Sequence, residues 1–367
     1  MSQKNATREP AVRLAKRSDI SRGKAWAIRA AAVLLALATG GLIILLLGHN
    51  PLEVYGTMLT GALGKPRAVR ETVKKAIPLL GAALAIAPAF KMKFWNIGAE
   101  GQILAGAVAA SYFALFWCDG LPRPVLLVVM GVAAVVAGGL WGLLPAVFKA
   151  RWGTNETLFT LMLNYIVLGL VKYLQNGPWG PGLNTSGYPK IPMFGGAALL
   201  PTVLGVHIGW IIVLVLTALM FAYLKYSKQG YEIAVVGESV RTAQYAGMNV
   251  SRIIMRTMFI SGGIAGLVGF LQVSGASGTL TENTAGGIGF TAITVAWLAK
   301  LNSFAMVVIA ALLAVLEKGA DAIQTAYKIP ASASEMLTGV ILFFMLGCEF
   351  FIRYRLIFRG KGERKHG

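Results

Sequence analysis

The stretch FWNIGAEGQILAGA, residues 94–107, lies in one of the most apolar regions of the chain, yet it carries Asn96, Glu100 and Gln102 among three glycines. A charged side chain at mid-bilayer costs ~2.5–3.5 kcal/mol on insertion scales, so it usually faces a bundle interior or a cavity. If the segment is helical here, Asn96 and Glu100 lie four residues apart on one face. Gly98, Gly101 and Ala105 then form a small-residue ridge that lets another helix approach closely. Two readings of Glu100 stay open. Its carboxylate accepts hydrogen bonds and could line a path for a hydroxylated solute, or it could tie a broken helix start by bonding free backbone N–H groups. The two are compatible if a broken helix lines the path.

The surrounding composition makes a membrane protein. Hydrophobic residues are 56% of the 367 and charged residues 13%, against roughly 45–50% and 25% in soluble domains; mean hydropathy is +0.66. A bilayer crossing takes about 20 mostly apolar residues, and the chain supplies many such runs. The expected fold is all-α and polytopic, with about ten transmembrane spans near 26–47, 76–90, 96–117, 124–148, 156–175, 207–225, 252–273, 287–300, 303–318 and 335–354. The second, eighth and ninth are short, as broken or re-entrant segments are, and such backbone needs protein or a water-filled cavity around it.

Net charge is +19, a balance that nucleic-acid binders share. Here Lys and Arg gather in both tails and in alternate short loops, which is the positive-inside pattern. That distribution predicts cytoplasmic termini: a basic tail over 1–25, a membrane domain over 26–354, and a basic tail over 355–367. It argues against a nucleic-acid partner and for membrane lipid. Lys65, Arg67, Arg70, Lys74 and Lys75 run against the bias, because the same topology puts them outside. Cys118 and Cys348 fall on opposite sides in this topology, so no disulfide is expected. The long outside loop 176–206 is rich in Gly and Pro and reads as turns. The inside loop 226–251 reads as a surface helix, with Val240, Ala243, Ala246 and Gly247 at helical spacing. NETLFTLMLNYIVL (155–168) and SASEMLTGVILFFML (332–346) both open a span with a carboxylate, starting from opposite sides. That suits an inverted repeat, although similarity between two apolar helices explains it equally well.

Four stretches, FWNIGAEGQILAGA (94–107), KARWGTNETLFTLMLNYI (149–166), AVVGESVRTAQYAGMNVSR (234–252) and GGIGFTAITVAWLA (286–299), together resemble the permease subunits of bacterial ATP-binding-cassette importers, in the branch that carries nucleosides and simple sugars. The resemblance spans about 70–350. It implies a permease that forms half of a nucleoside pathway in the bacterial inner membrane. Its partners would be a second permease, paralogous or identical, a cytoplasmic ATPase that binds the ATP and Mg, and an extracytoplasmic binding protein or lipoprotein. The chain itself would need no cofactor or metal and would have no catalytic residue. The resemblance also makes 237–250 the ATPase-docking segment, with Gly237, Glu238, Arg241, Ala243, Tyr245, Ala246, Gly247 and Met248 as coupling residues. Ser239, Val240 and Thr242 depart there from the family's usual Asn, Pro and Ala.

Asn96, Glu100, Gln102, Asn164, Thr291 and Thr294 are the candidate pathway residues. For Asn164 the alternative is an interhelical hydrogen bond, and for the threonines a bond to their own backbone. Asn155 and Glu156 suit a helix N-cap with an acid in the first turn. For 237–250 the alternative is an ordinary lipid-bound interfacial helix. GALGKP (61–66) lacks the spacing of a phosphate-binding loop, and His49, His207 and His366 are scattered, so the sequence offers no catalytic constellation. A sugar importer of the same design is the first alternative function. An ion-coupled secondary carrier is the second.

Overall fold

The computed structural model describes residues 12–16, 21–118, 120–183 and 187–358. The tail segments 1–11, 17–20 and 359–367 lie outside the described residues, so most of both predicted tails does too. In chain order the elements are β1 (Val12–Lys16), α1 (Arg22–Leu46), α2 (Pro51–Leu63), α3 (Pro66–Lys91), α4 (Ala99–Phe116), α5 (Arg123–Trp152) and α6 (Glu156–Asn176). Then come β2 (Thr202–Val203), β3 (Val206–His207), α7 (Gly209–Tyr226), α8 (Lys228–Glu238), α9 (Val240–Tyr245), α10 (Val250–Leu271), a π-turn (Gln272–Ser277), α11 (Ile288–Leu298), α12 (Ser303–Tyr327), α13 (Ala331–Arg353) and β4 (Tyr354–Phe358). Among the described residues nine helices are long and apolar enough to cross a membrane, and Ile288–Leu298 is a shorter apolar helix.

Contacts divide the chain into two compact units, residues 1–56 with 323–367, and residues 57–322. In the first, α1 packs along α13. Arg29 bonds Glu349 at 3.1 Å, the Tyr55 hydroxyl donates to the Leu37 carbonyl at 2.8 Å, and β1 pairs antiparallel with β4. The pairing brings the two ends of the described chain together.

In the second unit α10 is central and packs on α3, α4 and α5. Its sequence supplies Gly262, Gly263, Gly266 and Gly269, and backbone meets backbone there. A Cβ on Gly106 or Gly138 would strike Gly266, and one on Gly142 would strike the Met258 carbonyl. Small residues at such crossings gain dispersion contact where lipid gives no hydrophobic drive. The contacts fix direction. Asn96 meets Ser261 and Gly106 meets Gly266, so α4 runs with α10, whereas Ala134 meets Gly266 and Gly142 meets Met258, so α5 runs against it.

Helix ends follow their caps. Asn155 accepts from the N–H groups of Thr157 and Leu158 at the start of α6, and Asn249 accepts from Arg252 N–H at the start of α10. Gly153 closes α5 at φ +65°.

Three expectations change. The second and ninth spans are not short: α3 has 26 residues and α12 has 25, because their charged first and last turns, which hydropathy excludes, continue the helix. The five basic residues of the first outside loop accordingly fall at the start of α3 or just before it, and Lys75 bonds Asp321 of α12 at 2.8 Å. The surface helix of 226–251 is two helices, α8 and α9, broken at Ser239, whose hydroxyl caps α9 through Thr242 N–H. Gly237 therefore lies inside α8 and makes no turn, whereas Gly247 does, at φ +75°. Helix α2 is an element that hydropathy did not separate from its neighbours.

The eighth span stays short. At 1.5 Å per residue, α11 reaches about 16 Å, half of a ~30 Å hydrocarbon core. The π-turn and the non-helical stretch 278–287 lie between it and α10. Their loose backbone is covered by the 187–201 loop: Phe194 N–H donates to Gly278 O at 2.8 Å, Leu200 N–H to Ser274 O at 2.9 Å, and Thr279 Oγ1 to Ile191 O at 3.0 Å.

The glycine seam predicts that Gly266→Ala, whose methyl would land on the Ala134 carbonyl, costs roughly 1–3 kcal/mol as overpacking. Gly169→Ala, with nothing within 4 Å, should be neutral or stabilising. Melting of detergent-purified protein followed by intrinsic fluorescence compares the two.

His207 gives a pH signature. It is buried between Gly209 and Gly275, and burial together with the nearby Lys74 charge lowers its pKa to about 4. The unfolded imidazole titrates near ~6.5. Between those values the unfolded chain binds a proton that the folded chain refuses, so this group's contribution to stability is complete above pH ~6.5 and falls as pH drops toward 4. Melting temperature measured from pH 7 to pH 4 should fall less steeply in His207→Leu than in the wild type.

Candidate functional site

The opening stretch folds around its polar residues. After α3 ends at Lys91 the chain is non-helical over 94–98, and α4 starts only at Ala99. Asn96 is thus on no helix face. It is fully buried: its Nδ2 donates to Gln102 Oε1 at 3.1 Å and Ser261 Oγ at 3.2 Å, and its Oδ1 accepts from Gly98 N–H at 3.0 Å. Gln102 returns a bond to Asn96 Oδ1 at 3.1 Å. Asn164 of α6 accepts from Gly101 N–H at 2.9 Å and donates to Ile97 O at 3.0 Å. The Gly98 and Gly101 ridge is what brings α6 this close, since a Cβ on either would meet Thr160 or Asn164.

Glu100, in the first turn of α4, reaches a second helix start. Its Oε1 accepts from Gly287 N–H at 2.7 Å and its Oε2 from Gly289 N–H at 2.7 Å. The N-terminal turns of α4 and α11 therefore meet at one carboxylate. Each carries a partial positive charge from its unpaired N–H groups, so the two would repel without an anion between them. Bonds to an ionised acceptor are short and roughly twice as strong as neutral ones.

The glycine run 286–289 serves this contact. Gly286 and Gly287 have φ of +52° and +82°, a region that other residues enter at a cost. A Cβ on Gly289 would lie 2.7 Å from the Glu100 Cα.

Beside this junction is a chamber of about 450 Å3 lined by Glu100, Asn164, Tyr165, Lys172, Glu282 and Asn283, with Gly286, Gly287 and Phe290. Lys172 faces Glu282 at 3.5 Å. The structure thus brings together Glu100 and Asn164 at one chamber and seals Asn96 and Gln102 behind it. Thr291 and Thr294, on α11, are half-buried and do not line that chamber. Lys172, Glu282 and Asn283 were not singled out from sequence. Lys172 carried the available signal, a lone charge within an apolar span.

The second candidate region lies at the end of the bundle that holds the C-terminus of α3. Here α8 packs on α3, α7 and α10. Arg256 of α10 bonds Glu232 of α8 at 2.8 Å, Gly237 packs on the Lys91 carbonyl, and Lys91 Nζ donates to Leu224 O at 2.8 Å. Ala243 is buried, and Met248 is half-buried. Glu238, Arg241, Ala246 and Gly247 are exposed, and Tyr245 is 92% exposed. Nearby, Glu156 pairs with Lys149 at 2.8 Å. Both cysteines are free thiols.

A helical bundle with a half-length helix, a polar chamber at its start and a cluster of exposed residues on a short terminal-face helix defines a polytopic transport protein. The chain belongs to the family described as "Branched-chain amino acid transport system / permease component", whose model matches residues 69–346. It is similar to a glucose ABC transporter permease protein of Haloferax volcanii, 33% identical over 338 residues, covering 88% of each chain. It is also similar to a guanosine ABC transporter permease protein of Bacillus subtilis, 31% identical over 338 residues, covering 91% of this chain and 95% of that one. A nucleoside ABC transporter permease protein of Lactococcus lactis is 29% identical over 335 residues, covering 89% and 91%. The chain is thus a multi-pass permease of the ABC-transporter kind.

Replacing the carboxylate tests the junction. Glu100→Gln removes the charge and sets an amide N–H against a backbone N–H, at a cost of roughly 1.5–3 kcal/mol for each lost charge-assisted bond. The expected result is a melting temperature several degrees below wild type, with Glu100→Ala lower still.

Proposed function

We propose that this permease forms half of the pathway of an importer for nucleosides, driven by ATP hydrolysed on separate subunits. The observation that carries the reading is the polar chamber at the paired helix starts. It contains acceptors, donors and an aromatic face, from Glu100, Asn164, Lys172, Asn283 and Tyr165, the groups that a base and a ribose engage. Asn96 and Gln102 act behind it as a brace. Two relatives named for guanosine and nucleoside transport, each aligned over about nine-tenths of this chain, support the substrate class. A glucose permease that is similar over 88% of the chain supports a second reading, import of a simple sugar.

The exposed face at α9, with Arg241, Tyr245 and Ala246, is proposed as the docking surface of a cytoplasmic ATPase, and the distribution of Lys and Arg supports placing both termini in the bacterial cytoplasm as well. The bonds from α8 to α3 and α10 support its use as a lever. Delivery by an extracytoplasmic binding protein and pairing with a second permease complete the machine, and ATP and Mg stay on the ATPase.

Uptake by the reconstituted importer, with labelled guanosine and glucose competing, separates the two substrate readings. Guanosine should saturate uptake and displace glucose, and the reverse order would favour the sugar. In the same vesicles Ala246→Trp should reduce uptake at least tenfold and weaken ATPase association. The purified permease alone should hydrolyse no ATP.

A further inference from the structure

A second polar chamber lies on the other side of the 278–287 stretch. It has a volume of about 340 Å3 and is lined by Glu71, Lys74, Lys75, Gln272, Ala276, Gly286 and Glu317, with Pro78, Leu79 and Ile288. Gly286 lines both chambers, so a single loop, pinned at Gly287 and Gly289 by Glu100, is the wall between them.

The charges of this chamber are arranged in an instructive way. Its walls hold two ammonium groups and two carboxylates. Lys74 bonds Glu71 at 2.9 Å, and Lys75 bonds Asp321 at 2.8 Å. Glu317 has no hydrogen-bond or ion-pair partner among the described residues, although Lys75 and Asp321 are near. Gln272 donates its Nε2 to Thr284 O at 3.3 Å, and no protein donor among the described residues reaches its Oε1. Unengaged polar groups inside a transmembrane bundle are costly and mark functional positions. The π-turn that carries Gln272 is itself a form frequent at functional sites.

We propose that this chamber is a second solute site on the import route, selective for an uncharged, hydroxyl-bearing solute such as a nucleoside and adverse to its phosphorylated form. The inference rests on the importer reading above. The Glu317 carboxylate accepts from solute hydroxyls, the Gln272 carbonyl accepts from a base N–H, and Lys74 donates. The paired wall charges leave no net positive field for a phosphate. The volume lies at the low end of the roughly 300–1,000 Å3 of small-molecule sites.

The experiment uses the complete importer in vesicles, with Cys118 and Cys348 replaced by serine as the parent and Ala276→Cys added. A charged thiol reagent should block uptake by the Ala276→Cys importer, and saturating guanosine should slow the block at least fivefold. Glu317→Gln, which removes the unpaired negative charge from the walls, should raise the KM for guanosine at least tenfold and make uptake sensitive to guanosine monophosphate, a change that a purely structural role would not produce. If the parent moves neither guanosine nor glucose, the importer reading fails and this one falls with it. If the parent transports, the chamber proposal alone is overturned by failure of the reagent to react, by block that solute does not slow, or by unchanged KM and nucleotide discrimination in Glu317→Gln.

Discussion

Two helix starts that face one another need an anion between them, and Glu100 is that anion. It lies in the first turn of α4 and accepts both free amides at the start of α11 at 2.7 Å. Much else follows from this contact. It allows α11 to begin halfway through the bundle, since the turn that would otherwise expose bare N–H groups to an apolar medium is satisfied. It requires Gly286, Gly287 and Gly289, two for their backbone angles and one for closeness. It holds the loop that separates two polar chambers. A carboxylate is retained here despite its insertion cost because removing it would leave two amides and two dipole ends uncompensated.

The same junction is close along the chain to the proposed docking surface. Gly237 of α8 packs on the carbonyl of Lys91, and the non-helical stretch that leads to Glu100 begins just beyond. On the other side α8 is fastened to α10 by Arg256 and Glu232, and Ser261 of α10 bonds Asn96. Packing thus links α8 to the broken segment by two short chains of contact, one through α3 and one through α10.

The polytopic all-α class and the position of most spans were legible because apolar runs are long and punctuated by charge. The broken start at 94–98 was legible too, since Asn, Glu and three glycines in an apolar run have few other uses. What escaped was mostly polar helix. The first turns of α3 and the last of α12 are charged and are joined by the half-exposed pair of Lys75 and Asp321, so hydropathy cut both helices short. The partner of Glu100 also escaped: Gly287 and Gly289 are 187 and 189 residues away, and backbone donors leave no side-chain signature. The glycine run was visible as an oddity, but only the contact explains it. The repeat suggested by 155–168 and 332–346 pairs α6 with α13, which fall in different compact units.

The most direct test of the Glu100 junction is amide hydrogen exchange across 283–292, measured by mass spectrometry on the wild type and on Glu100→Gln at matched temperature. Slow exchange in this segment of the wild type, lost in the variant while α5 and α10 stay protected, is the predicted result. Equal protection of 283–292 in both proteins would contradict the account, because the amides of Gly287 and Gly289 would then not depend on the carboxylate.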